Sequence, residues 1–380
     1  MKKKRAALSL LLVLCLVLSI LSFPLVNATE DSWITLESMS TPRYRLGVAV
    51  VDGKIYAIGG FSYDSESGNS VVGTNEMYDP ETNTWTTMAS MPTARAAFAI
   101  AVCQNKIHVI GGTGTGDPLF SCDHEVYDPQ TNTWETKEGR EFGAYFCANV
   151  VNDKIYVIGG QVQWFPPCMA RDQNIVYDPL TDTWADLAPI PVAVERYAST
   201  VVDNKIYVIG GIDYSSSTET ALVQIYDTET DTWITGTNSP SVVIEAAAVA
   251  TSGEFASKKI YVFGGIDYSK WINEDLPSLY DPEVTTDLTQ VYNPETDTWT
   301  TGSPMLTSRY GLGVAVIDDK IYAIGGKKGG ETYPTEYYSK NEMYTPAGYI
   351  PEFPSWIVLP LFIVATLAVI AYRKKLRAVT

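Results

Sequence analysis

Residues 78–85 read Tyr-Asp-Pro-Glu-Thr-Asn-Thr-Trp, and residues 127–134 read Tyr-Asp-Pro-Gln-Thr-Asn-Thr-Trp. In each segment the tryptophan follows the tyrosine by seven positions, and this spacing returns at residues 177–184, 226–233 and 292–299. A second feature recurs with it, an apolar run that closes on two glycines. The glycine pairs stand at residues 59–60, 111–112, 159–160, 210–211, 264–265 and 325–326. Self-similarity at a period near fifty residues is typical of a repeat architecture.

This pattern of a glycine pair, then a tyrosine and a tryptophan resembles the kelch repeat of β-propellers, over nearly all of residues 33–346. The resemblance implies an all-β fold, a six-bladed kelch propeller over residues 29–348. In such a fold each blade is a four-stranded sheet, with strands a to d running outward from a central axis. The a–b and c–d turns share one face, and the b–c and d–a connections share the other.

The residues also give a physical reason for blades. Residues 47–51 and 54–58 are β-branched and aromatic runs on either side of Asp52-Gly53, a favoured two-residue hairpin turn. The glycine pair lets the backbone turn where a side chain would clash with a neighbouring blade. One four-stranded sheet cannot bury both of its faces, whereas radial stacking buries them and leaves only short edges.

The sixth repeat lacks its last strand. Residues 342–346 read Glu-Met-Tyr-Thr-Pro, and no tryptophan follows at the usual spacing. Residues 33–36, Trp-Ile-Thr-Leu, form an orphan fourth strand near the start of the chain. We expect the Trp33 strand to complete the sixth blade and close the ring.

The N-terminus predicts export. Four basic residues at positions 2–5 precede an apolar run and then Val26-Asn27-Ala28, an order typical of a secretory signal peptide over residues 1–28. The apolar run is long for a signal-peptide core, so an uncleaved N-terminal anchor is the alternative.

The C-terminus predicts an anchor. Residues 349–356 form a Pro-rich linker, residues 357–372 an apolar segment, and residues 373–380 a basic tail that favours the cytoplasmic side. Sixteen residues span only about 24 Å as a helix, so Trp356 and the basic side chains must cover the rest of the membrane. The Pro-Glu-Phe motif at residues 351–353 resembles the sorting signals of archaeal surface proteins. That resemblance implies a processing transpeptidase that replaces the helix with a lipid-type anchor; a retained transmembrane helix is the alternative.

The charge excludes one class of partner. The chain has a formal charge of −17. Eight of its 27 basic residues and none of its 44 acidic residues lie in the two end segments, so residues 29–355 hold 19 basic and 44 acidic side chains and carry −25. Such a surface repels nucleic acid and other polyanions.

Four cysteines follow the signal segment, and an exported chain permits disulfides among them. They allow three pairings, and their spacing fits no zinc motif. Either a disulfide or free buried thiols is consistent with the sequence. The four are Cys103, Cys122, Cys147 and Cys168.

Arginines, tyrosines and one glutamate lie just before or at the start of the predicted innermost strands, and we expect them to rim the central channel. An alternative role for the arginines is to bond loop carbonyls and hold the blade. The rim residues are Arg43, Tyr44, Arg45, Arg95, Tyr145, Arg196, Tyr197, Glu245, Arg309 and Tyr310. Aromatic residues in the predicted b–c loops complete the candidate binding face, namely Tyr63, Phe120, Trp164, Tyr214, Tyr268, Trp271 and Tyr333.

Arginines among aromatics suit carboxylates, acidic peptides or sugars. The leading hypothesis is a non-catalytic cell-surface module, held on the outer face of the cell membrane, that binds a protein or glycan through the d–a/b–c face. A carbohydrate-active enzyme is the alternative, because Arg43, Arg196, Glu245 and Arg309 resemble the channel-mouth set of sialic-acid mutarotases. A structural envelope component is the third possibility.

Catalytic chemistry has little support in the residues. His108 replaces a strand-b tyrosine and is expected to pack in a core, whereas His124 is expected at the surface. Galactose oxidase is an enzyme built on the kelch fold, and its copper site needs two histidines and two converging tyrosines; the sequence shows no such set. We therefore predict no catalytic residues, metal site or cofactor.

Overall fold

The structure, a computed structural model, describes residues 30–350 with gaps at 65–67, 115–122, 141, 162–170, 214–215, 217, 243, 268–284 and 330–335. These described residues form β-strands and connections without an α-helix, which confirms the all-β prediction. None of them belongs to a helix long and apolar enough to cross a bilayer. The predicted signal peptide, membrane segment and basic tail lie outside the described residues, as does the linker beyond residue 350.

The first two repeats show the plan. After β1 (Ser32–Leu36), sheet 1 is built from β2 (Gly47–Val51), β3 (Lys54–Ile58), β6 (Asn75–Asp79) and β7 (Thr84–Met88), with the hairpin β4 (Phe61–Asp64) and β5 (Gly68–Val71) between its second and third strands. Sheet 2 is built from β8 (Ala99–Cys103), β9 (Lys106–Ile110), β10 (His124–Asp128) and β11 (Thr133–Lys137).

The next two repeats follow the same antiparallel order. Sheet 3 is built from β12 (Cys147–Val151), β13 (Lys154–Ile158), β14 (Asn174–Asp178) and β15 (Thr183–Asp186). Sheet 4 is built from β17 (Ala198–Val202), β18 (Lys205–Ile209), β21 (Val223–Asp227) and β22 (Thr232–Gly236); beside it β16 (Val194–Glu195), β19 (Ile212–Asp213) and β20 (Thr218–Glu219) form a small ribbon.

The last two repeats complete the set. Sheet 5 is built from β23 (Ala247–Ala250), β24 (Ile260–Phe263), β25 (Thr289–Asn293) and β26 (Thr298–Thr301). Sheet 6 is built from β27 (Gly313–Ile317), β28 (Lys320–Ile324), β31 (Asn341–Thr345) and, as its outer strand, β1; the pair β29 (Lys327–Lys328) and β30 (Glu336–Tyr337) lies between β28 and β31. Within the described residues there are thus six four-stranded sheets.

The sheets follow one another around an axis. Their first strands, β2, β8, β12, β17, β23 and β27, lie side by side in chain order, and β27 lies beside β2. The first strand of the chain, β1, pairs antiparallel with the last, β31, and places Trp33 opposite Tyr344. In sheet 1 the corresponding pair is Trp85 opposite Tyr78. The orphan strand therefore occupies the fourth position of sheet 6, as the sequence predicts.

The hydrophobic cores lie between neighbouring sheets. One core cluster joins Ala49 and Tyr56 of sheet 1 to Ile107, Val109 and Tyr127 of sheet 2. The ring of Tyr56 lies 5.9 Å from the ring of Tyr127, and matching tyrosine contacts recur between other neighbouring sheets. Because each sheet buries its faces against its neighbours, no single sheet forms a core alone.

The glycine pairs mark a close approach between backbones. Gly60 has a φ of +104°, a conformation that side chains strongly disfavour. A Cβ on Gly60 would also lie 2.9 Å from the carbonyl oxygen of Tyr44. Tyr44 lies in the d–a connection and forms a β-bridge with Phe61 in the b–c connection. The glycine pair thus lets the two connections meet on one face of the ring.

Candidate functional site

The d–a and b–c connections share one face, because short bridges join them at every sheet. In sheets 1 and 2 these bridges are Tyr44 to Phe61 and Ala96 to Thr113. In sheet 4 the contact widens into the pairing of β16 with β19. The connections that carry the predicted binding residues of the described chain therefore lie on a common face, which we call the d–a/b–c face.

Arg43, expected at the rim of the channel, is fully buried inside sheet 1. Its guanidinium donates to the carbonyl oxygens of Gly59, Thr74 and Ala57 at 2.8, 3.0 and 3.1 Å. It also pairs with the carboxylate of Glu76 at 2.7 Å. Its donors are used within the blade, so it has none to offer to a ligand.

Arg95 and Arg309 repeat this arrangement in sheets 2 and 6. Arg95 pairs with Glu125 at 2.6 Å and Arg309 with Glu342 at 2.7 Å, and both arginine side chains are fully buried. The rim prediction is therefore wrong for all three arginines, and their role is structural. With Arg43 and Arg309 buried, the mutarotase-like set of four residues does not form at the channel mouth.

The chain's own repeats carried a signal for this pairing. The position occupied by these arginines holds Gly143, Val194 and Val243 in sheets 3, 4 and 5. The second position of the third strand is glutamate in the three sheets that have the arginine. In the other three it is Ile175, Gln224 and Gln290. Arginine and glutamate thus appear together or not at all, which aligning the repeats would have revealed.

The channel mouth itself is held by a closed ring of backbone hydrogen bonds. One residue from each sheet takes part, and each N–H donates to the carbonyl oxygen of its counterpart in the preceding sheet at 2.6–3.0 Å. All six residues have a φ between 52° and 63°. The six are Arg45, Ala97, Tyr145, Arg196, Glu245 and Gly311.

Four of the six side chains in this ring, Arg45, Tyr145, Arg196 and Glu245, meet as a mouth cluster. The carboxylate of Glu245 accepts from Arg45 Nε at 2.9 Å and Arg196 Nη1 at 3.1 Å. Both guanidinium groups also lie over the ring of Tyr145, at 4.9 and 4.4 Å from its centroid. The structure thus brings four of the predicted rim residues together at the channel mouth.

The electrostatics of the mouth cluster are balanced internally. Burial raises the pKa of Glu245, but the positive charges of Arg45 and Arg196 lower it by a larger amount. The pKa of Glu245 therefore lies below the usual value. Arg196 also forms an ion pair with Glu195, whose carboxylate lies 3.1 Å from Nε. Below the cluster lies a cavity of only about 130 Å³. The guanidinium groups at this end of the channel are therefore paired within the protein.

Tyr44 and Tyr310 lie beside the mouth cluster, where they surround a buried lysine. The ammonium of Lys327 is 4.8 Å from the ring centroid of Tyr44, 5.9 Å from that of Tyr310 and 5.3 Å from that of Tyr337. Sequence reasoning missed Lys327. Its signal was its position directly after a glycine pair, where the other five repeats carry uncharged residues.

Tyr197 is buried below the mouth instead of rimming it. Its hydroxyl donates to the carbonyl oxygen of Ile158 at 2.5 Å and accepts from the N–H of Cys147 at 3.1 Å. The rim prediction is wrong for Tyr197 because these backbone groups hold the ring inside the sheet interface.

One aromatic cleft is open to solvent on the d–a/b–c face. It is a shallow site with an open volume of about 420 Å³, lined by Pro42, Tyr63, Glu336, Tyr337 and Tyr338. Tyr63 is 57% exposed, more than any other aromatic side chain of the described residues. We call this site the tyrosine cleft. The other predicted loop residues lie outside the described part of the chain, namely Phe120, Trp164, Tyr214, Tyr268, Trp271 and Tyr333.

The two histidines form a buried pair. His108 Nδ1 lies 2.9 Å from His124 Nε2. Burial lowers the pKa of His108 to about 4 and that of His124 to about 3. The surface prediction for His124 is wrong, because its ring is fully buried against Tyr177 and Trp184 of sheet 3.

Cys103 and Cys147 are free thiols, while Cys122 and Cys168 lie outside the described residues. Across the part of the chain that the structure describes, no three His, Cys, Asp or Glu side chains are grouped to hold a metal ion.

Comparison with known proteins agrees with this architecture. Residues 137–326 match the family model of the KLHDC2/KLHL20/DRC7 kelch-repeats domain. Kelch motif models match residues 42–92, 94–139 and 308–348.

Among curated proteins, the chain is 30% identical over 206 residues to Kelch-like protein 26 of Danio rerio, covering 53% of this chain and 33% of that protein. It is 26% identical over 310 residues to Kelch-like protein 23 of Homo sapiens, covering 80% of this chain and 48% of that protein. The chain therefore spans between about a third and a half of the length of these relatives.

A solved structure described as the structure of YjhT superposes with a TM-score of 0.65. It shares 16% identity and covers 80% of this chain and 95% of that one. At this identity the likeness concerns the fold alone.

Proposed function

The chain belongs to the kelch-repeat family, and from that premise we propose that it is a six-bladed propeller that binds a protein or glycan partner through its d–a/b–c face. The observation that carries the proposal is the tyrosine cleft. It is an exposed aromatic site on a face whose arginines are otherwise satisfied internally. Recognition commonly resides in variable connections positioned by a rigid scaffold, and the b–c loops are the connections that vary here.

The same proposal assigns no catalysis to the chain. The buried histidines have pKa values far below neutrality and serve poorly as general acids or bases near pH 7. The carboxylate of Glu245 is bound by two guanidinium groups and is likewise unsuited to accept a proton.

We further propose that the propeller is exported and displayed on the outer face of the cell membrane, with the partner-binding face pointing away from the bilayer. The support comes from the geometry of the two chain ends as well as from the sequence. The N–H of Gly348 donates to the carboxylate of Glu30 at 2.9 Å, so both ends of the propeller lie together. The chain enters and leaves the propeller at one end of sheet 6. In the other sheets this end carries the c–d turn, and it lies opposite the d–a/b–c face.

The test blocks one face at a time on the full chain, purified in a detergent without a sugar headgroup. Thr218→Cys places a thiol in a b–c connection, and Leu180→Cys places one in a c–d turn at a residue that is 79% exposed. Each variant is coupled to a large polyethylene glycol, and binding to a glycan array and to proteins of the cell envelope is measured. Wild-type protein treated with the same reagent controls for the native cysteines.

We expect the polymer at position 218 to abolish binding and the polymer at position 180 to leave it unchanged. Loss of binding only with the block at 180 would place recognition on the other face. A chain that binds nothing in either assay would contradict the proposal and favour a structural envelope component.

A further inference from the structure

The exposed ring of Tyr63 packs on a partly buried stack of aromatic rings. Its ring lies 5.9 Å from that of Tyr337 with an interplanar angle of 26°. Tyr337 packs edge-on against Tyr44 at 5.3 Å, and Tyr44 stacks on Phe61 at 5.3 Å. An exposed aromatic that is already ordered loses little conformational entropy when a ligand covers it. Tyr63 is therefore a prepared stacking surface.

Polar groups border this surface. The hydroxyl of Tyr338 donates to the carboxylate of Glu336 at 2.8 Å, which leaves that carboxylate with further lone pairs. The hydroxyl of Tyr337 is bonded to the side chain of Asn69 on the facing hairpin. The site thus combines an apolar face with hydrogen-bond acceptors at its edge. The site is shallow and open, with a volume of about 420 Å³.

The nearby charges restrict the ligand. Lys327 already lies 5.3 Å from the centroid of Tyr337 and Lys340 lies 4.9 Å from that of Tyr338, so a cation would meet a like charge at these rings. An anion would meet the carboxylate of Glu336 in the same cleft. The charge of −25 on residues 29–355 repels polyanions. An uncharged ligand that is rich in hydroxyl groups avoids both penalties.

We propose that the tyrosine cleft binds an uncharged hexose residue of a glycan. One C–H-rich face of the sugar ring stacks on Tyr63, and its hydroxyl groups donate to the carboxylate of Glu336. The proposal rests on the proposed function of the d–a/b–c face and adds the class of ligand and the residues that recognise it.

The experiment screens the full chain, in the same detergent, against an array of glycans ending in uncharged hexoses, in acidic sugars or in amino sugars with free amines. The best binder is then titrated against the wild type, Tyr63→Ala, Tyr63→Phe and Glu336→Gln. Ile234→Ala, a similarly exposed residue on the outer strand β22, is the matched control. Thermal unfolding of each variant verifies that it is folded.

We expect a hexose-terminated glycan to bind and Tyr63→Ala to weaken it about tenfold, the equivalent of one lost aromatic contact. Tyr63→Phe keeps the aromatic ring that stacks on the sugar. Its affinity is therefore expected to stay within about twofold of the wild type. Glu336→Gln is expected to weaken binding severalfold, and Ile234→Ala not at all.

Preference for acidic or cationic sugars would overturn the inference, as would hexose binding that Tyr63→Ala leaves intact. Binding of proteins alone, blocked by polymer at position 218, would overturn it while the proposed function stands. Absence of any binding would defeat both.

Discussion

Asp31 and Tyr344 are 313 residues apart in the chain, yet the tyrosine hydroxyl donates to the aspartate carboxylate at 2.6 Å. The same oxygen accepts the N–H of Ser303 from the neighbouring sheet at 2.7 Å. In sheet 1 the partner of the equivalent tyrosine, Tyr78, is Asn83 of the same c–d turn. Asp31 thus supplies from the start of the chain the turn residue that the last repeat lacks.

Replacing Asp31 with alanine is expected to lower the free energy of unfolding by about 1–3 kcal/mol, because a buried hydroxyl and an N–H lose their acceptor. Asp31→Asn is expected to remain near the wild type, since Asn83 and Asn132 perform the same task in sheets 1 and 2. Urea unfolding measures both. Equal stability of Asp31→Ala and the wild type would show that closure does not depend on this contact.

The buried arginine–glutamate pairs should be far more important to stability than a surface pair of the same length. The Arg43–Glu76 and Arg140–Asp186 pairs both have a separation of 2.7 Å, but only the first is buried. Arg43→Ala leaves Glu76 buried without its charge partner and is expected to cost about 3–5 kcal/mol. Arg140→Ala is expected to cost about 0–1 kcal/mol. Similar losses in chemical denaturation would contradict the structural role of Arg43.

The histidine pair predicts an acid-sensitive stability. The pKa values of His108 and His124 are about 4 and about 3 in the folded chain, below about 6.5 in an unfolded one. As the pH falls below 6.5 the unfolded chain takes up protons that the folded chain refuses, so stability is lost from pH 6.5 down to the folded values. The full expected loss is about 3 kcal/mol for His108 and about 5 kcal/mol for His124.

The repeats supply a control for this pH effect. Sheets 1, 3 and 6 carry tyrosine and asparagine at the two positions, as in Tyr56 and Asn75. The double variant His108→Tyr/His124→Asn is expected to fold and to lose less stability between pH 7 and pH 4 than the wild type. Parallel pH profiles of the two proteins in urea unfolding would show that the pair does not titrate as described.

The mouth cluster should respond to charge rather than to size. Glu245→Gln leaves Arg45 and Arg196 without the carboxylate between them and is expected to cost about 2–5 kcal/mol. Adding Arg45→Gln removes one of the two cations that lose this carboxylate and should recover part of the loss, a coupling that a double-mutant cycle isolates. Additive effects of the two substitutions would argue against a shared network.

The repeat allowed the architecture to be predicted from the sequence, because the spacing of the tyrosine, the tryptophan and the glycine pair recurs in register with the strands. Trp33 could be assigned to the last sheet since it is the one strand-d tryptophan without a preceding tyrosine. The candidate site was harder. Arg43 and Arg45 are two positions apart in the same connection, and only the left-handed backbone at Arg45 turns its side chain to the mouth.

Lys327 and Tyr337 escaped the sequence reading for a related reason. Their contact with Tyr44 joins the first repeat to the last, and no local pattern reports which loops meet across a closed ring. His124 was misplaced because its neighbour is the next sheet, which covers the strand edge that the sequence alone leaves open.

The hydrogen-bonded ring at the channel mouth passes through main-chain atoms only. Ala97 and Gly311 adopt the same conformation as Arg45 without offering any chemistry of their own. At these six positions the backbone holds the ring together, and the side chains can therefore vary independently of it. An engineer could exchange the side chains there, provided that opposing charges are replaced together, and fit the pore entrance with a new specificity on an unchanged framework.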